Sequence, residues 1–299
     1  MSIVYSLIIV NYHSIDEIRE CLESIQKFHP STDYEVIIVS NSDVSEKEVE
    51  HIEKFSIPIK WIIPQDNLGY GRACNMGADE SSGDYIFFLN PDTRFLNDVP
   101  DILKSELKAR NNKAAAGPAT YNRDMQRLPS VKNDVSLGWM FNWLCPLVGQ
   151  LSPASRVHDS HDYKSTASVQ IINGSAIFMH KSAYQASGGF SNDFFMYWEE
   201  NDLCYSLREK GIDILFSPDA KIIHSVGHST KKNFIPMEIE KHRSQKLFLE
   251  KHHPKLSRIN RMMGVSAYFW RFLMSLIFLR SAKVKQFRSL FAWYLLHYK

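Results

Sequence analysis

Four short apolar runs punctuate the first ninety positions, and stretches of a different period separate them. Residues 6–11 (SLIIVN) stay apolar until they end on an amide, as a strand buried on both faces does. Over residues 16–28, Ile18, Leu22, Ile25 and Phe28 recur at helical spacing, with Ser14 placed as the N-cap. Residues 34–39, 59–63 and 84–89 repeat the strand signature. Residues 45–55, 69–81 and 99–111 repeat the helical one, the second opening as a glycine-rich loop. Strand alternating with helix across short joints predicts an α/β fold: a doubly wound, mostly parallel sheet flanked by helices. Such sheets bind ligands beyond the carboxyl ends of their strands, where Asn11, Ser40-Asn41 and Asn90-Asp92 all fall.

The pattern weakens over residues 121–168, a stretch holding Trp139, Trp143 and the polar HDSHDYKS, which predicts a long loop of the kind that often carries function. It returns as a strand pair at 169–180, a helix at 200–211 ending on Gly211, and two short strands at 212–216 and 221–224. Near the end, residues 264–281 and 287–299 are aromatic, apolar and interrupted by basic residues. Neither is an uncharged 18-residue span, so no transmembrane helix is expected. Basic amphipathic helices rich in aromatics suit a membrane interface, with packing on the rest of the chain or dimerisation as the alternative. The expected division is a domain over 1–235 and a helical extension over 236–299.

Charge sharpens this picture. The net charge of +2 hides ten Lys and Arg without one Asp or Glu in residues 251–299, leaving 25 basic against 33 acidic residues before them. An anionic membrane surface fits such a segment; nucleic acid is not expected, because no recognised binding motif accompanies the charge. Cys21, Cys74, Cys145 and Cys204 are widely spaced, which excludes a zinc spacing or disulfide framework and suits a reducing compartment. The N-terminus lacks a basic region and cleavage site, so it reads as a first strand and not a signal peptide.

Three stretches carry chemistry. NLGYGRACNMG (67–77) offers close backbone approach, a helix N-terminus and Arg72, a combination suited to phosphate. In FFLNPDTRF (87–95) a buried strand ends on Asn90 and Asp92; the carboxylate suits Mg²⁺ or Mn²⁺, and the same residues suit a turn. In YWEENDLCYSLREKG (197–211), Glu199, Glu200 and Asp202 crowd a helix start, where one carboxylate can be tuned toward general-base work or the set can simply cap the helix.

Taken in order, NxGxGxAxNxG, the strand into NPD, GGF, an aromatic-EExDL helix and PDAxIxH resemble the inverting glycosyltransferases of family 2, with the GT-A fold and most closely their rhamnosyltransferase-like branch. The resemblance runs from about residue 6 to 228. It implies that Val10, Asn11, Asn41 and Asp43 border the base and ribose of a nucleotide-sugar donor. It places Asn67, Gly69, Arg72, Asn75 and Asn90 along the rest of the donor site. Asp92, with His224, would hold a divalent metal, Mg²⁺ or Mn²⁺. Glu200 would be the catalytic base, with Glu199 the alternative, and Asn173, Gly174 and Asp202 would lie on the acceptor or sugar side. Three positions depart from the family pattern: Ser40 replaces Asp, Asn90 replaces the first metal carboxylate, and Glu200 is one methylene longer than the usual Asp.

The expected function is inverting transfer of a sugar, with rhamnose from dTDP-rhamnose as the guess, to a lipid-linked saccharide acceptor in polysaccharide synthesis. The location would be cytoplasmic and peripheral, at the inner face of a bacterial plasma membrane. The departures motivate an alternative, a non-catalytic sugar-nucleotide-binding or scaffolding subunit. A nucleotidyltransferase accounts less well for the EENDL helix and the PDAxIxH end. A homo-oligomer stays open.

Overall fold

A computed structural model of the chain describes residues 3–31, 33–136, 140, 163–225, 234–277 and 281–298. The chain forms two compact units. One comprises residues 1–133, 158–195 and 199–226; the other comprises 134–157, 196–198 and 227–299.

The first unit is built on a ten-stranded sheet. Strands β1 (Tyr5–Asn11), β2 (Tyr34–Ser40), β3 (Ile59–Ile62) and β4 (Tyr85–Leu89) pair in parallel in the order β3-β2-β1-β4. Their connections are α1 (Ile15–Phe28), α2 (Glu46–Glu53) and α3 (Tyr70–Asp79). Each strand side chain of β1 is buried, which is why the run shows no alternation. The expected doubly wound α/β arrangement is therefore present.

Beyond β4 the sheet becomes mixed. A short β5 (Thr93–Phe95) leads into α4 (Val99–Lys108), and β6 is Ala114–Tyr121. Strand β11 (Ala176–His180) runs antiparallel between β4 and β6. It is followed by α5 (Lys181–Ser187) and α6 (Glu199–Glu209). The alanine-rich β6 was not anticipated, because its small residues give a weak apolar signal; all but the last of its residues are nonetheless buried. Residues 212–216 and 221–224 are not two strands: they form one, β12 (Asp213–His224), with a bulge between Ser217 and Lys221. Within 121–168, β7 (Arg127–Leu128), β8 (Val131–Lys132) and β9 (Ala167–Ser168) replace part of the expected loop, and β8 pairs with β10 (Ile171–Ile172). Trp139, Trp143, Cys145 and most of HDSHDYKS lie outside the described residues.

The second unit carries three described helices: α7 (Phe234–His252), α8 (Pro254–Ile277) and α9 (Ser281–Leu296). Helices α8 and α9 pack around Tyr268, Leu290, Trp293, Tyr294 and Tyr298. Gly264 is required there, since a Cβ would sit 2.1 Å from the Tyr294 ring. His242 of α7 is 3% exposed, with Nε2 2.9 Å from the Tyr268 hydroxyl and Nδ1 3.0 Å from that of Tyr294. Burial pushes its imidazole down from the ordinary 6.5 to about 4, so it is neutral inside the cluster. The unfolded chain takes up that proton between pH 6.5 and 4 whereas the folded chain does not, so this part of the stability is lost as the pH falls through the window. Thermal melts followed by near-UV circular dichroism should show a larger drop between pH 7 and pH 5 for the native protein than for His242→Gln.

Candidate functional site

The carboxyl ends of β1, β2 and β4 bring Asn11, Ser40-Asn41 and Asn90 to one edge of the sheet. Asn11 is fully buried; its amide donates to Ser40 Oγ at 2.8 Å and its carbonyl accepts from the Ser14 backbone at 3.0 Å. Ser14 stands at the N-cap of α1, but its hydroxyl makes no cap and turns back to Asn11 Oδ1 instead. Asn41 clamps the glycine-rich loop, accepting from the Leu68 backbone at 3.1 Å and donating to the Gly69 carbonyl at 2.8 Å. Asn67 receives the Gly69 N–H at 2.9 Å. Gly69 has φ +77°, and a Cβ would lie 2.0 Å from the Phe195 carbonyl oxygen, so no other residue fits. The loop so held opens α3, whose first turn carries Arg72 with a buried Nε that has no hydrogen-bond partner. An orphaned guanidinium N–H beside a helix N-terminus is chemistry suited to an anion.

Val10 is buried at the end of β1, and Asp43 is exposed beyond β2. Asn75 is committed elsewhere: its amide donates to the Phe190 carbonyl at 2.8 Å and to Asn192 Oδ1 at 3.4 Å, and its carbonyl accepts from the Phe190 N–H at 2.9 Å and from the Tyr184 hydroxyl. This makes it a brace between α3 and the GGF segment, and no part of its amide is left for a ligand.

The strand end at Asn90 answers to β12. His224 lies opposite Thr93 in the β5–β12 pairing, which sets its Nε2 3.2 Å from Asp92 Oδ1 and 3.3 Å from Asn90 Nδ2. Its Nδ1 is buried without a partner. An imidazole, a carboxylate and an amide converging on one point fit a small divalent cation, the amide turning its oxygen inward. A second group of ligand-type atoms, His29, Asp98 and Asp101, lies at the amino end of the sheet. There Asp101 already bears Lys104 at 2.7 Å and the Tyr5 hydroxyl, and His29 Nδ1 lies 2.9 Å from Asp98. That group is an internally balanced brace on β1, away from the ligand edge.

The acidic pair opens α6 immediately after Tyr197 and Trp198, whose φ values of 67° and 68° are rarely adopted by bulky residues. Glu199 is 7% exposed and its Oε2 has no partner. Burial, then the neighbouring Glu200 charge, pushes its carboxyl up from 4.5 to about 8. Glu200 accepts from Lys132 Nζ at 2.7 Å through Oε1. Burial alone would lower the Lys132 ammonium, but the Glu200 carboxylate overrides it and holds it up. Asp202, one turn into the helix, is 1% exposed.

One loop joins these parts. The Ser175 carbonyl accepts from the Asn90 N–H at 2.9 Å, and the Gly174 carbonyl accepts from the Tyr70 hydroxyl at 3.2 Å. A Cβ on Gly174 would meet the Glu200 Cβ at 3.2 Å, and Asn173 N–H donates to the Ser130 carbonyl at 3.0 Å. Gly174 thus lies against the acidic helix and Ser175 holds the end of β4, with Asn173 anchored beside them to Ser130. Lys132 was not singled out from the sequence. It sits in a two-residue strand inside the stretch of weakest pattern, and no local signal marks it.

The sheet order, the flanking helices and the ligand edge define an α/β protein of the GT-A fold. Two solved structures share that fold: GalNAc-T7 with UDP, GalNAc and Mn²⁺ (TM-score 0.61, 13% identity, 83% of this chain and 48% of that one), and S. aureus TarS (TM-score 0.54, 15% identity, 83% and 42%). Residues 6–162, more than half of the chain, match the model for glycosyl transferase family 2, and the chain belongs to that family. It is similar to an N-acetylglucosaminyl-diphospho-decaprenol L-rhamnosyltransferase of Mycobacterium tuberculosis, with 28% identity over 200 residues, 62% of this chain and 65% of that protein. It is also similar to the low-salt glycan biosynthesis hexosyltransferase Agl10 of Haloferax volcanii, with 28% identity over 216 residues, 70% of this chain and 63% of that one. The chain thus spans just under two thirds of the length of these curated relatives.

The buried Glu199 has a consequence for stability. Its folded carboxyl keeps a proton that the unfolded chain releases near 4.5, so its contribution is fully present below that pH and is lost as pH rises to about 8. Glu199→Gln cannot ionise. Its melting temperature should fall less than that of the native protein between pH 5 and pH 8, by several degrees in a calorimetric series.

Proposed function

We propose that the chain is an inverting glycosyltransferase that moves a sugar from a nucleotide-sugar donor to a hydroxyl of a lipid-linked saccharide. The observation that carries this reading is the convergence of a phosphate-suited helix start, an Asp92–His224 pair and an acidic pair on one strand edge. The named rhamnosyltransferase relative supports L-rhamnose as the sugar and a polyprenyl diphosphate saccharide as the acceptor class. In this reading residues 1–235 serve as the catalytic domain and 236–299 as an extension.

Asp92, His224 and the Asn90 amide oxygen would hold Mg²⁺ or Mn²⁺, which when bound neutralises charge on a nucleoside diphosphate leaving group. Asn11 and Asn41 hold the loops that border the base, and Arg72 with the α3 N-terminus meets the diphosphate. Glu200 takes the proton from the acceptor hydroxyl. That oxygen attacks the anomeric carbon on the face opposite the diphosphate, the bond to the diphosphate breaks, and the configuration inverts in a single displacement. Gly174, against Glu200, keeps space free for the acceptor hydroxyl. With purified protein, Mg²⁺ or Mn²⁺, lipid extract and a panel including dTDP-rhamnose, UDP-glucose and UDP-galactose, one donor should release nucleoside diphosphate. Glu200→Gln and Asp92→Ala should each lower that rate by about 100-fold or more with melting curves kept. Donor binding without turnover on any extract would favour the non-catalytic reading.

The extension supports a peripheral membrane location. No helix among the described residues is long and apolar enough to cross a bilayer. Helix α8 nevertheless exposes Met262, Phe269, Trp270 and Ile277, and Arg258, Lys283 and Arg288 on α8 and α9 are exposed as well. An apolar stripe flanked by cations suits an anionic bilayer surface. The protein should co-float with anionic vesicles and not with zwitterionic ones. Trp270→Glu with Ile277→Glu should weaken that binding by about tenfold or more.

A further inference from the structure

The ion pair between Lys132 and Glu200 has no place in the roles described so far. Lys132 comes from β8, a strand that pairs with β10 and so lies beside the Asn173–Gly174 turn. Its side chain is 26% exposed and that of Glu200 is 13% exposed, so the contact is sheltered, where ionic interactions are screened far less than at a surface. Two carboxylates adjacent in sequence share this shelter, and the ammonium reaches only one of them: Nζ meets Glu200 Oε1, whereas Glu199 Oε2 is buried without a partner. The other titratable groups around the pair are Tyr70 and Cys74 of α3, and Asp202, Cys204 and Arg208 of α6.

We propose that Lys132 is a positioning residue that divides the labour of the acidic pair: by engaging Glu200 Oε1 it makes Glu200 the ionised member, with Oε2 turned to the acceptor hydroxyl, and leaves Glu199 as the protonated member. This rests on the reading of Glu200 as the base. A buried carboxyl beside a second, sheltered carboxylate resists ionisation, and a counter-charge on one of the two decides which of them carries the proton. Removing the ammonium leaves one proton shared between them, so a base that was always available becomes available only part of the time. The proton released by the acceptor still passes to Glu200, so the step is unchanged and only its pH dependence moves.

The test compares Lys132→Met, Lys132→Arg and the double variant Lys132→Met/Glu199→Gln with the native protein. The acid limb of the kcat/KM profile should move up by about one pH unit or more in Lys132→Met, costing about tenfold in rate on that limb. It should stay near its native position in Lys132→Arg. It should return toward the native position in the double variant, because the competing carboxyl is gone. A second readout needs no turnover: carbon-13 NMR of protein labelled at the glutamate carboxyl, with Glu199→Gln and Glu200→Gln assigning the two resonances. These should titrate in separate steps in the native protein and as a coupled pair in Lys132→Met. If Lys132→Met loses its native circular dichroism, Lys132→Gln takes its place. A uniform drop in rate with an unmoved limb, or unchanged carboxyl titrations, would overturn the proposal. Glu200→Gln run in parallel separates the two levels. Retained turnover there overturns the base reading, whereas abolished turnover with an unmoved limb in Lys132→Met overturns the role of Lys132 alone.

Discussion

The acidic helix, α3 and the end of β4 are tied to one another at three backbone positions, 173 to 175. Ser175 ties down the end of β4, Gly174 receives Tyr70 from α3 and lies against Glu200, and Asn173 anchors to Ser130. A side chain at 174 would press on the Glu200 Cβ and drive the acidic helix away from the sheet. The antiparallel β11 that follows exists in the same sense: reversing direction between β4 and β6 lets the turn before it emerge at the carboxyl ends of the parallel strands. One tight turn thus sets the spacing between the end of β4 and the carboxylates of α6.

The parallel half of this arrangement was legible in the sequence because burial on both faces writes itself as uninterrupted apolar runs; YIFFL and LIIV can be little else. The position of Asn11, Ser40 and Asn90 at strand ends was legible for the same reason, since polar residues that stop such runs fall at the sheet edge. What stayed hidden was set by pairing partners far along the chain. Alanines suffice for β6 because β11 and β12 flank it and α4 packs on it, so little room is left above the strand. Asn75, in the middle of a phosphate-type motif, turns out to spend its amide on Phe190, 115 residues away. Lys132 gains its meaning only from β10 and α6, and nothing within ten residues of it announces that.

The helical unit follows a different logic. Its centre is a stack of tyrosines and a tryptophan around a neutral histidine, not an aliphatic core. Aromatic rings bury large area while their hydroxyls need partners, and His242 supplies acceptor and donor nitrogens to two of them. Such a core lets these helices cohere while their outer faces carry apolar and basic residues.

The bulge in β12 has a meaning that goes beyond irregular pairing. Ser217 faces Pro118 and Lys221 faces Ala119, so three residues on one strand are answered by none on the other. Surface turns ordinarily tolerate gain or loss of a residue, but strand side chains alternate with a period of two. An odd number of extra residues inverts which side chains look inward, and it is after this inversion that His224 meets Asp92. A strand slid by one to absorb a longer turn would present Ile223 where the imidazole now stands, and a shorter turn would present Ser225. The turn is therefore a phase setter: its parity, more than its composition, decides which side chain faces Asp92.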